Sequence, residues 1–375
     1  MIIIKEVVSK RDLKQFIDFP VKLFKGVEQF SPAIFEDEMD NLTPGKNPAF
    51  TWCDFKLFLA YKNEKIVGRI CGIISHFANN KYQQKRVRFN RIDMIDDIEV
   101  TRALIAAVES WGKEKEMTEI VGPLGYSDQD KEGLLVEGYE FGNMFATFYH
   151  FPYYKVHLET LGFMPDAKWV EHRIDIPKSL DERYDRLRDY ICDKYDVKIK
   201  TFKNKRQLQP YIVQVLSLVN KAYDHLYGYV PISEDFMQSL AKQFIPLLNL
   251  RYFNLVVDQN DKVVAFGISV PSPVFALKKI NGKLYPFGFI RFLRALKKSK
   301  QLDLLLVAIE PELKNSGIIN LVLGEAIKHA IEDGIEYAET GPQLEDNISV
   351  QSLWKKFEFI NHKKRVCFVK KIGSN

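Results

Sequence analysis

Two similar stretches of twelve residues occur in this chain. Residues 57–68 read LFLAYKNEKIVG, and residues 254–265 read NLVVDQNDKVVA. In both copies, β-rich runs surround a polar turn, at residues 63–64 in the first copy and at 260–261 in the second. A polar pair between such runs is typical of a β-hairpin. We therefore predict two hairpins at equivalent places in a duplicated structure.

Three further pairs of segments match in the same order along the chain. These pairs are 5–13 with 200–208, 121–123 with 340–342, and 158–163 with 354–359. One short match arises easily by chance, whereas four collinear matches do not. The length of 375 residues agrees with two halves, because a single core stops growing at roughly 250–300 residues.

The boundary between the halves lies near Pro177. A β-rich run ends at Ile176, Pro177 breaks it, and the letters SLDE at 179–182 have the spacing of a capping box that opens a helix. The predicted ranges are a first domain at 1–178, a linker helix at 179–196 and a second domain at 197–375. Each half reads β, two helices, hairpin, β, helix, β, helix, β.

Composition indicates an ordinary globular protein. Hydrophobic residues make up 46% and charged residues 27%, and the 54 basic and 49 acidic side chains are mostly interleaved, so we do not expect nucleic acid as a partner. The cysteines lie far apart without metal-ligand spacing, which favours free thiols in a reducing compartment. The apolar run at 1–4 is too short for a signal sequence, and no run approaches 18 apolar residues. We expect a soluble, cytoplasmic protein.

The element order and the segment at 307–319, which reads VAIEPELKNSGII, resemble the GNAT family of GCN5-related N-acetyltransferases. In that family a loop with the pattern Q/R-x-x-G-x-G/A joins the fourth strand to the third helix and binds the CoA pyrophosphate. Pro311, Lys314 and Gly317 stand where the family has a proline, a basic residue and a glycine. Asn315 and Ile319 depart from the family pattern. Unpaired N–H groups at a helix start favour an anion.

The resemblance implies both a fold and an activity. The fold is α/β (α+β, three-layer), with two GNAT-like domains that each contain a mixed, mostly antiparallel central sheet flanked by helices. The activity is N-acyl transfer from acetyl-CoA or another acyl-CoA, without a metal, to an amine of a small molecule or peptide. The residues expected to bind the cofactor are Ile309, Lys314, Asn315, Ser316, Gly317 and Ile318. The alternative reading of the segment is that Asn315 and Ser316 only cap a helix.

The first half lacks the corresponding features. Its strand at 87–94 runs into the letters DDIE at 96–99, where carboxylates suit the helix dipole but repel a pyrophosphate. No glycine stands there. We expect acyl-CoA to bind in the second half alone.

The resemblance also implies a proton donor and a base. The family's usual tyrosine falls on Trp354, whose indole N–H cannot protonate a thiolate, so Ser349 and Ser352 are the nearest candidate donors. Trp354 itself is expected to pack in the core. Glu339, just before a Gly-Pro pair, is the candidate base, with a solvated or paired carboxylate as the alternative.

Four hydrogen-bonding aromatic side chains in the segment 220–231 are candidate acceptor-binding residues: Tyr223, His225, Tyr227 and Tyr229. The alternative is a loop that joins the two domains. Two functions remain open: an N-acyltransferase, and a degenerate GNAT scaffold that binds without transfer. A third, the use of aminoacyl-tRNA or long acyl chains, rests on the basic segment 291–300.

Each half carries an insertion of its own. Residues 287–300 predict a basic amphipathic helix, which lies on anionic lipid, reaches a CoA phosphate or, more commonly, covers a sheet edge. The insertion at 124–151 has no periodicity, and we expect it to fill the first site or to reach the second. Its acidic residues are candidate partners of an acceptor amine: Asp128, Asp130, Glu132 and Glu137.

Overall fold

The computed structural model describes residues 1–127, 130–231, 233–234, 236–238 and 248–373. The first half contains β1 (Ile2–Glu6), α1 (Lys10–Leu23), α2 (Phe35–Asn41), β2 (Cys53–Lys62), β3 (Lys65–Ser75), α3 (His76–Lys81), β4 (Arg86–Met94), α4 (Ile98–Glu114), β5 (Glu119–Gly122), β6 (Leu134–Glu137), α5 (Tyr153–Thr160) and β7 (Met164–Asp175).

A connecting helix, α6 (Tyr184–Tyr195), leads to the second half. That half contains β8 (Val197–Lys200), α7 (Gln209–Tyr223), β9 (Phe253–Asp258), β10 (Val263–Pro271), α8 (Val274–Ile280), α9 (Gly288–Leu296), β11 (Gln301–Ile309), α10 (Ile319–Glu332), β12 (Tyr337–Thr340), β13 (Gln343–Leu344), α11 (Ile348–Gln351) and β14 (Phe359–Lys371).

Both predicted hairpins are confirmed. The β2–β3 turn consists of Asn63 and Glu64, both with positive φ, and β9 pairs with β10 around 260–261. The capping box is wrong in detail, because α6 begins at Tyr184. There the Asp181 carboxylate, and not Ser179, accepts a hydrogen bond from the N–H of Arg183 at 2.9 Å.

The strands of the described residues form one sheet in the order β1-β2-β3-β4-β5-β14-β7-β12-β11-β10-β9-β8, and the short strands β6 and β13 pair with β14 and β7. Most neighbours are antiparallel, and parallel pairing occurs between β4 and β5 and between β11 and β12. Helices cover the sheet, so the predicted α/β class with a mixed, mostly antiparallel sheet is confirmed. Of the described helices, none is long and apolar enough to cross a membrane.

The last strand of each half is exchanged at the centre of the sheet. β14 pairs with β5 of the first half, β7 pairs with β12 of the second half, and the two exchanged strands pair with each other. Side chains from both halves therefore meet on β7, β14 and β12. The ranges 1–178 and 197–375 stay a prediction of domains in chain order.

Candidate functional site

The centre of the second half contains an opening in the sheet. β11 and β12 pair from Gln301 to Leu304 and then separate, with a bulge at Leu305 opposite β10. The N–H of Gly341 donates to the carbonyl of Leu304 at 3.2 Å as the last link. Residues 304–307 are half-buried, although central strands covered on both faces are normally buried. The separation leaves one edge of β11 without a neighbouring strand after Leu304. The Tyr223 hydroxyl lies on this edge, 2.9 Å from the Val307 carbonyl and 3.4 Å from the Val307 N–H. We call this feature the β11 cleft.

The predicted cofactor loop follows the end of β11. Its backbone turns through Gly317, whose φ of +82° favours glycine. The hydroxyl of Ser316 donates to the Leu313 carbonyl at 2.6 Å and accepts from the N–H of Ile318 at 3.1 Å. Ser316 therefore closes a local turn before α10, whose N-cap residue Ile318 has no side-chain cap. The N–H groups of Lys314 and Ser316 also donate within this loop, to the Pro311 and Leu313 carbonyls at 3.3 and 2.9 Å.

The other loop residues differ in exposure. Lys314 and Asn315 are exposed, Ile309 is half-buried, and the side chain of Ile318 is fully buried, which leaves only its backbone for any ligand. Ile319, the first residue of α10, is also buried.

Acidic residues beside this loop are paired. Glu310 contacts Lys221 and Lys262, the latter at 3.1 Å, and Lys221 also contacts Glu312 at 3.1 Å. Lys314 forms no ion pair within the described ranges. The loop thus presents one uncompensated positive charge next to the start of α10.

The predicted acceptor segment divides between two environments. The hydroxyl of Tyr223 donates to the Val307 carbonyl at 2.9 Å, on β11, whereas His225 is exposed. Tyr227 donates to Asp166, and Tyr229 is fully buried, with its carbonyl accepting from the Tyr82 hydroxyl at 3.0 Å. Tyr227 and Tyr229 therefore join the halves, and Tyr223 alone of the four bonds to β11.

A buried ionic cluster lies where the exchanged strands meet β11 and β12. We call it the junction cluster, and its members are Glu171, Gln301, Asp303, Glu339, His362, Lys363 and Arg365. Glu339 accepts from His362 Nε2 at 2.5 Å and from Gln301 Nε2 at 2.6 Å, and Lys363 contacts it as well. Lys363 also lies 2.9 Å from Glu171, which pairs with Arg365.

The pKa values of the carboxyl groups in this cluster are shifted in opposite directions. Burial alone would raise the pKa of Glu171, but the charges of Arg365 and Lys363 lower it to about 2. Burial likewise opposes ionisation of Glu339, yet the Lys363 charge and the His362 hydrogen bond hold its pKa below the usual value. For Asp303, burial and then the Glu339 charge raise the pKa well above its usual value. Glu339 is a paired carboxylate at neutral pH, as the alternative expected.

Three members of the cluster have metal-ligand chemistry. Oxygen or nitrogen atoms of Glu171, Glu339 and His362 lie within 4.8 Å of one another. The Lys363 ammonium contacts both carboxylates, so a metal ion would have to displace it. The residues present therefore favour an ionic cluster over a metal site.

His172, on β7, was not found from the sequence. Its side chain is buried, and neither ring nitrogen has a hydrogen-bond partner in the described part of the chain. Its backbone N–H donates to the Thr340 hydroxyl at 2.9 Å, directly before the β11 cleft. Burial, with the nearby His362, lowers the pKa of His172, so the ring is neutral at physiological pH. No local pattern pointed to it, because strand exchange brings it there.

The two predicted proton donors follow β12 and β13 in the chain. Ser349 lies on α11, and Ser352 directly follows that helix. Ser349 is half-buried, and Ser352 is exposed, with its hydroxyl donating to the Ser349 carbonyl at 2.7 Å. Trp354 is buried in the core, as predicted, and its indole N–H donates to Gln343 at 3.0 Å.

The equivalent region of the first half is filled. Arg91, at a bulge in β4, pairs with Glu38 and with Asp130 of the 124–151 insertion, each at 2.8 Å. We call these three residues the first-half plug, and all are buried. Glu132 is half-buried, and exposed Glu137 pairs with Lys364 at 3.2 Å, whereas Asp128 lies outside the described residues. The insertion therefore helps to fill the first site.

A comparison with solved structures identifies the architecture. A tandem GNAT protein from the clavulanic acid biosynthesis pathway is similar over 100% of both chains, with a TM-score of 0.59 and 11% sequence identity. The chain has a tandem GNAT fold. A scan against protein-family models found no match.

Two curated proteins are similar in sequence to this tandem GNAT chain. Protein YghO of Escherichia coli K12 is 26% identical over 382 residues, which cover 99% of this chain and 95% of that protein. A bacterial ceramide synthase of Caulobacter vibrioides is 27% identical over 305 residues, which cover 78% of this chain and 75% of that enzyme.

Proposed function

We propose that the second half is an N-acyltransferase that moves an acyl group from acyl-CoA to an amine. The observation that carries this proposal is the β11 cleft, which lies directly before a glycine-containing loop at a helix start. Pantetheine amides would pair with the edge of β11 that borders the cleft. The CoA diphosphate would bind at residues 314–318, where N–H groups, the helix dipole and Lys314 favour an anion.

The reaction forms one bond and breaks one, and it needs one proton transfer from the amine and another to the departing thiolate. The amine nitrogen attacks the thioester carbonyl, a C–N bond forms, the C–S bond breaks, and CoA leaves as a thiolate. The attacking amine must lose a proton to a base, and the thiolate must gain one. Ser349 and Ser352 remain the proposed donors, although Ser352 already donates to a backbone carbonyl.

We propose His172 as the base in preference to Glu339. The ring nitrogens of His172 have no hydrogen-bond partner among the described residues, so the neutral imidazole has a free lone pair that can accept a proton. Glu339 is held by Lys363 and His362, which makes its carboxylate a weak proton acceptor. Glu339 would then position His362 and Lys363 and would not exchange protons itself.

The acceptor proposal draws on a relative. A ceramide is a long-chain amino alcohol acylated on nitrogen, and one similar protein bears the name bacterial ceramide synthase. We therefore include amphipathic long-chain amines among the acceptors, beside small-molecule and peptide amines. Tyr223 is the proposed acceptor-side contact, because its hydroxyl bonds to β11.

The second candidate is a GNAT scaffold that binds without transfer. Trp354 stands in the place of the family's tyrosine, and Leu305 and Leu306 occupy the middle of β11, where many members carry a carboxylate. This candidate predicts either no acyl-CoA binding or binding without release of CoA thiol in the presence of any amine.

Titration calorimetry separates the two candidates. Acetyl-CoA, palmitoyl-CoA and CoA are titrated into wild type, Lys314→Glu and the matched control Lys198→Glu, which reverses an exposed charge far along the sheet on β8. We expect binding by wild type and the control, and at least tenfold weaker binding by Lys314→Glu, since one close charge pair contributes about 1.5–3 kcal/mol. Absence of binding, or equal binding by all three, would reject the proposed donor site.

A thiol-release assay then tests transfer. Wild type and His172→Gln are supplied with the acyl-CoA that binds and with a panel of small, peptide and long-chain amines. We expect His172→Gln to lower kcat by roughly 100-fold at unchanged acyl-CoA affinity, the usual range for a general base. Full activity of His172→Gln would assign the base elsewhere, and binding without turnover by wild type would favour the scaffold.

A further inference from the structure

The α8–α9 hairpin carries an unusual concentration of positive charge. Between Ser272 and Leu302 the sequence has no aspartate or glutamate. The same segment carries eight basic residues, namely Lys278, Lys279, Lys283, Arg291, Arg294, Lys297, Lys298 and Lys300. The whole chain has a net charge of +5, so the rest of the chain carries −3 (5 − 8). The hairpin alone accounts for the basic character of the protein.

The same hairpin exposes large apolar side chains. Tyr285 and Phe287 are each 72% exposed, and the remaining members of this set are Phe275, Phe289, Ile290 and Leu293. Other apolar side chains of the hairpin are buried: Phe292, Ala276 and Leu277 pack against Ile34 and Phe145 of the first half. Covering a sheet edge, the arrangement expected from the sequence, explains Phe292 and leaves the exposed set unexplained. Several large apolar side chains exposed on one short segment are typical of an interaction site.

The hairpin is fixed to the body of the protein. The Lys278 ammonium donates to the Glu28 carbonyl at 2.5 Å, and Lys283 pairs with Asp18 at 3.0 Å. Two backbone contacts add to these, from the Phe35 N–H to the Gly282 carbonyl at 2.9 Å and from the Leu284 N–H to Glu36 at 3.2 Å. The apolar side chains are therefore exposed by a held element and not by a frayed one.

The charges on α9 and after it are free to meet a partner. Arg291, Arg294, Lys297 and Lys298 form no ion pair with any residue that the structure describes. Cationic side chains beside exposed aromatic and aliphatic ones are typical of helices that lie in the interface of an anionic bilayer. A second copy of the chain fits poorly, because a symmetric contact would bring like charges together. A nucleic acid bound to the hairpin would contact its cationic and aromatic side chains but would leave the aliphatic side chains of Ile290 and Leu293 without a contact.

We propose that the α8–α9 hairpin docks this protein on an anionic lipid surface. The hairpin precedes the first residue of β11, whereas the loop at 314–318 follows the last, and a strand of nine residues spans roughly 25–30 Å. The lipid surface and the proposed diphosphate site thus lie at opposite ends of β11. This inference rests on the hairpin alone and does not require the proposed function.

Co-sedimentation with vesicles tests the docking. The full chain is mixed with vesicles of phosphatidylcholine alone or of phosphatidylcholine with an equal part of phosphatidylglycerol. We expect strong binding to the mixed vesicles, weak binding to phosphatidylcholine, and loss of binding at high salt. Arg291→Gln with Arg294→Gln should weaken binding to mixed vesicles about 30-fold, from about 1 kcal/mol for each basic residue.

Apolar variants separate lipid docking from charge alone. Phe287→Ser with Ile290→Ser should lose vesicle binding, whereas Val156→Ser, an exposed apolar position on α5, should bind as wild type does. Unchanged circular dichroism and Tm confirm that each variant folds. The proposal would be overturned if wild type stays in the supernatant or if Phe287→Ser with Ile290→Ser binds vesicles fully. It would also be overturned by salt-sensitive binding to RNA without vesicle binding, or by a dimer that the apolar variant abolishes. Acyl-CoA titration without vesicles is a separate readout.

Discussion

The two halves differ in how closely the chain packs around the Gly-Pro pair at the end of β5 in the first half and after β12 in the second. In the first half, a Cβ at Gly122 would lie 2.2 Å from the Phe89 carbonyl oxygen, so β4 and β5 approach too closely for any side chain. In the second half, a Cβ at Gly341 would lie 3.8 Å from the Leu304 carbonyl oxygen. Buried Arg91 fills the first site, and half-buried Leu305 borders the second. The strands separate in both halves, and the difference is that the first-half plug fills the space in the first half.

The largest expected effect comes from breaking the first-half plug. Arg91→Leu leaves the Glu38 and Asp130 carboxylates buried without their partner, which should lower the free energy of unfolding by about 3–5 kcal/mol. Chemical denaturation measures the change. Arg102→Leu, which breaks an exposed pair with Glu99 on α4, should cost less than about 1 kcal/mol. Equal losses of unfolding free energy in the two variants would mean that the buried plug stabilises the fold no more than an exposed ion pair does.

The halves should also differ in how pH affects their stability. The Arg91 charge and hydrogen bond, acting against burial, lower the pKa of Glu38 to about 2. This carboxylate therefore stabilises the fold above its ordinary value of 4.5, and that stability is lost as pH falls toward about 2. Asp303 has the opposite sign, because burial raises its pKa and its contribution is lost as pH rises above its ordinary value of 3.8.

Asp303→Asn isolates the second of these effects. The amide keeps the oxygen that accepts from Gln301 at 2.8 Å and removes the titration. We expect the variant to become progressively more stable relative to wild type as pH rises above about 3.8, because burial and the Glu339 charge raise the pKa of the Asp303 carboxyl and disfavour its ionised form in the folded protein. Unfolding free energies at several pH values give the difference. A difference that does not change with pH would show that Asp303 is ionised in the folded protein.

A matched pair of glycine substitutions sharpens the comparison of geometry. Gly122→Ala forces a side chain against backbone and should cost about 1–3 kcal/mol of unfolding free energy, whereas Gly341→Ala should change it by less than about 0.5 kcal/mol. Thermal and chemical denaturation of both variants measure this. If Gly341→Ala is as destabilising as Gly122→Ala, the second half is as closed as the first.

Much of the fold could be predicted from the chain, because hairpins, turns and helices leave local patterns. The paired segments at 57–68 and 254–265 predicted duplication, and the carboxylates at 96–99 predicted a first half unsuited to CoA. Asp97 caps α4 there by accepting from the Glu99 N–H at 3.0 Å. The helical periodicity of the sequence also predicts a helix from Glu234 to Phe244, and most of this range lies outside the described residues.

The junction cluster could not be predicted in the same way. Glu171 and His172 stand in a strand that the sequence assigned to the first half, and His362 and Lys363 stand in one assigned to the second. Only the exchange of β7 and β14 brings them beside Glu339, and strand pairing over such distances leaves no local signal. For the same reason the sequence alone leaves Glu339 as a candidate base, whereas His362 and Lys363 make it a paired carboxylate in the structure.

Hydrogen–deuterium exchange of the full chain, with and without saturating palmitoyl-CoA, tests most directly whether the second half alone retains a working site. We predict slower exchange of backbone amides in residues 304–319, which border the β11 cleft and form the loop, and unchanged exchange in the equivalent residues 89–99. Protection of 89–99, or no protection of 304–319, would contradict this assignment of the two halves.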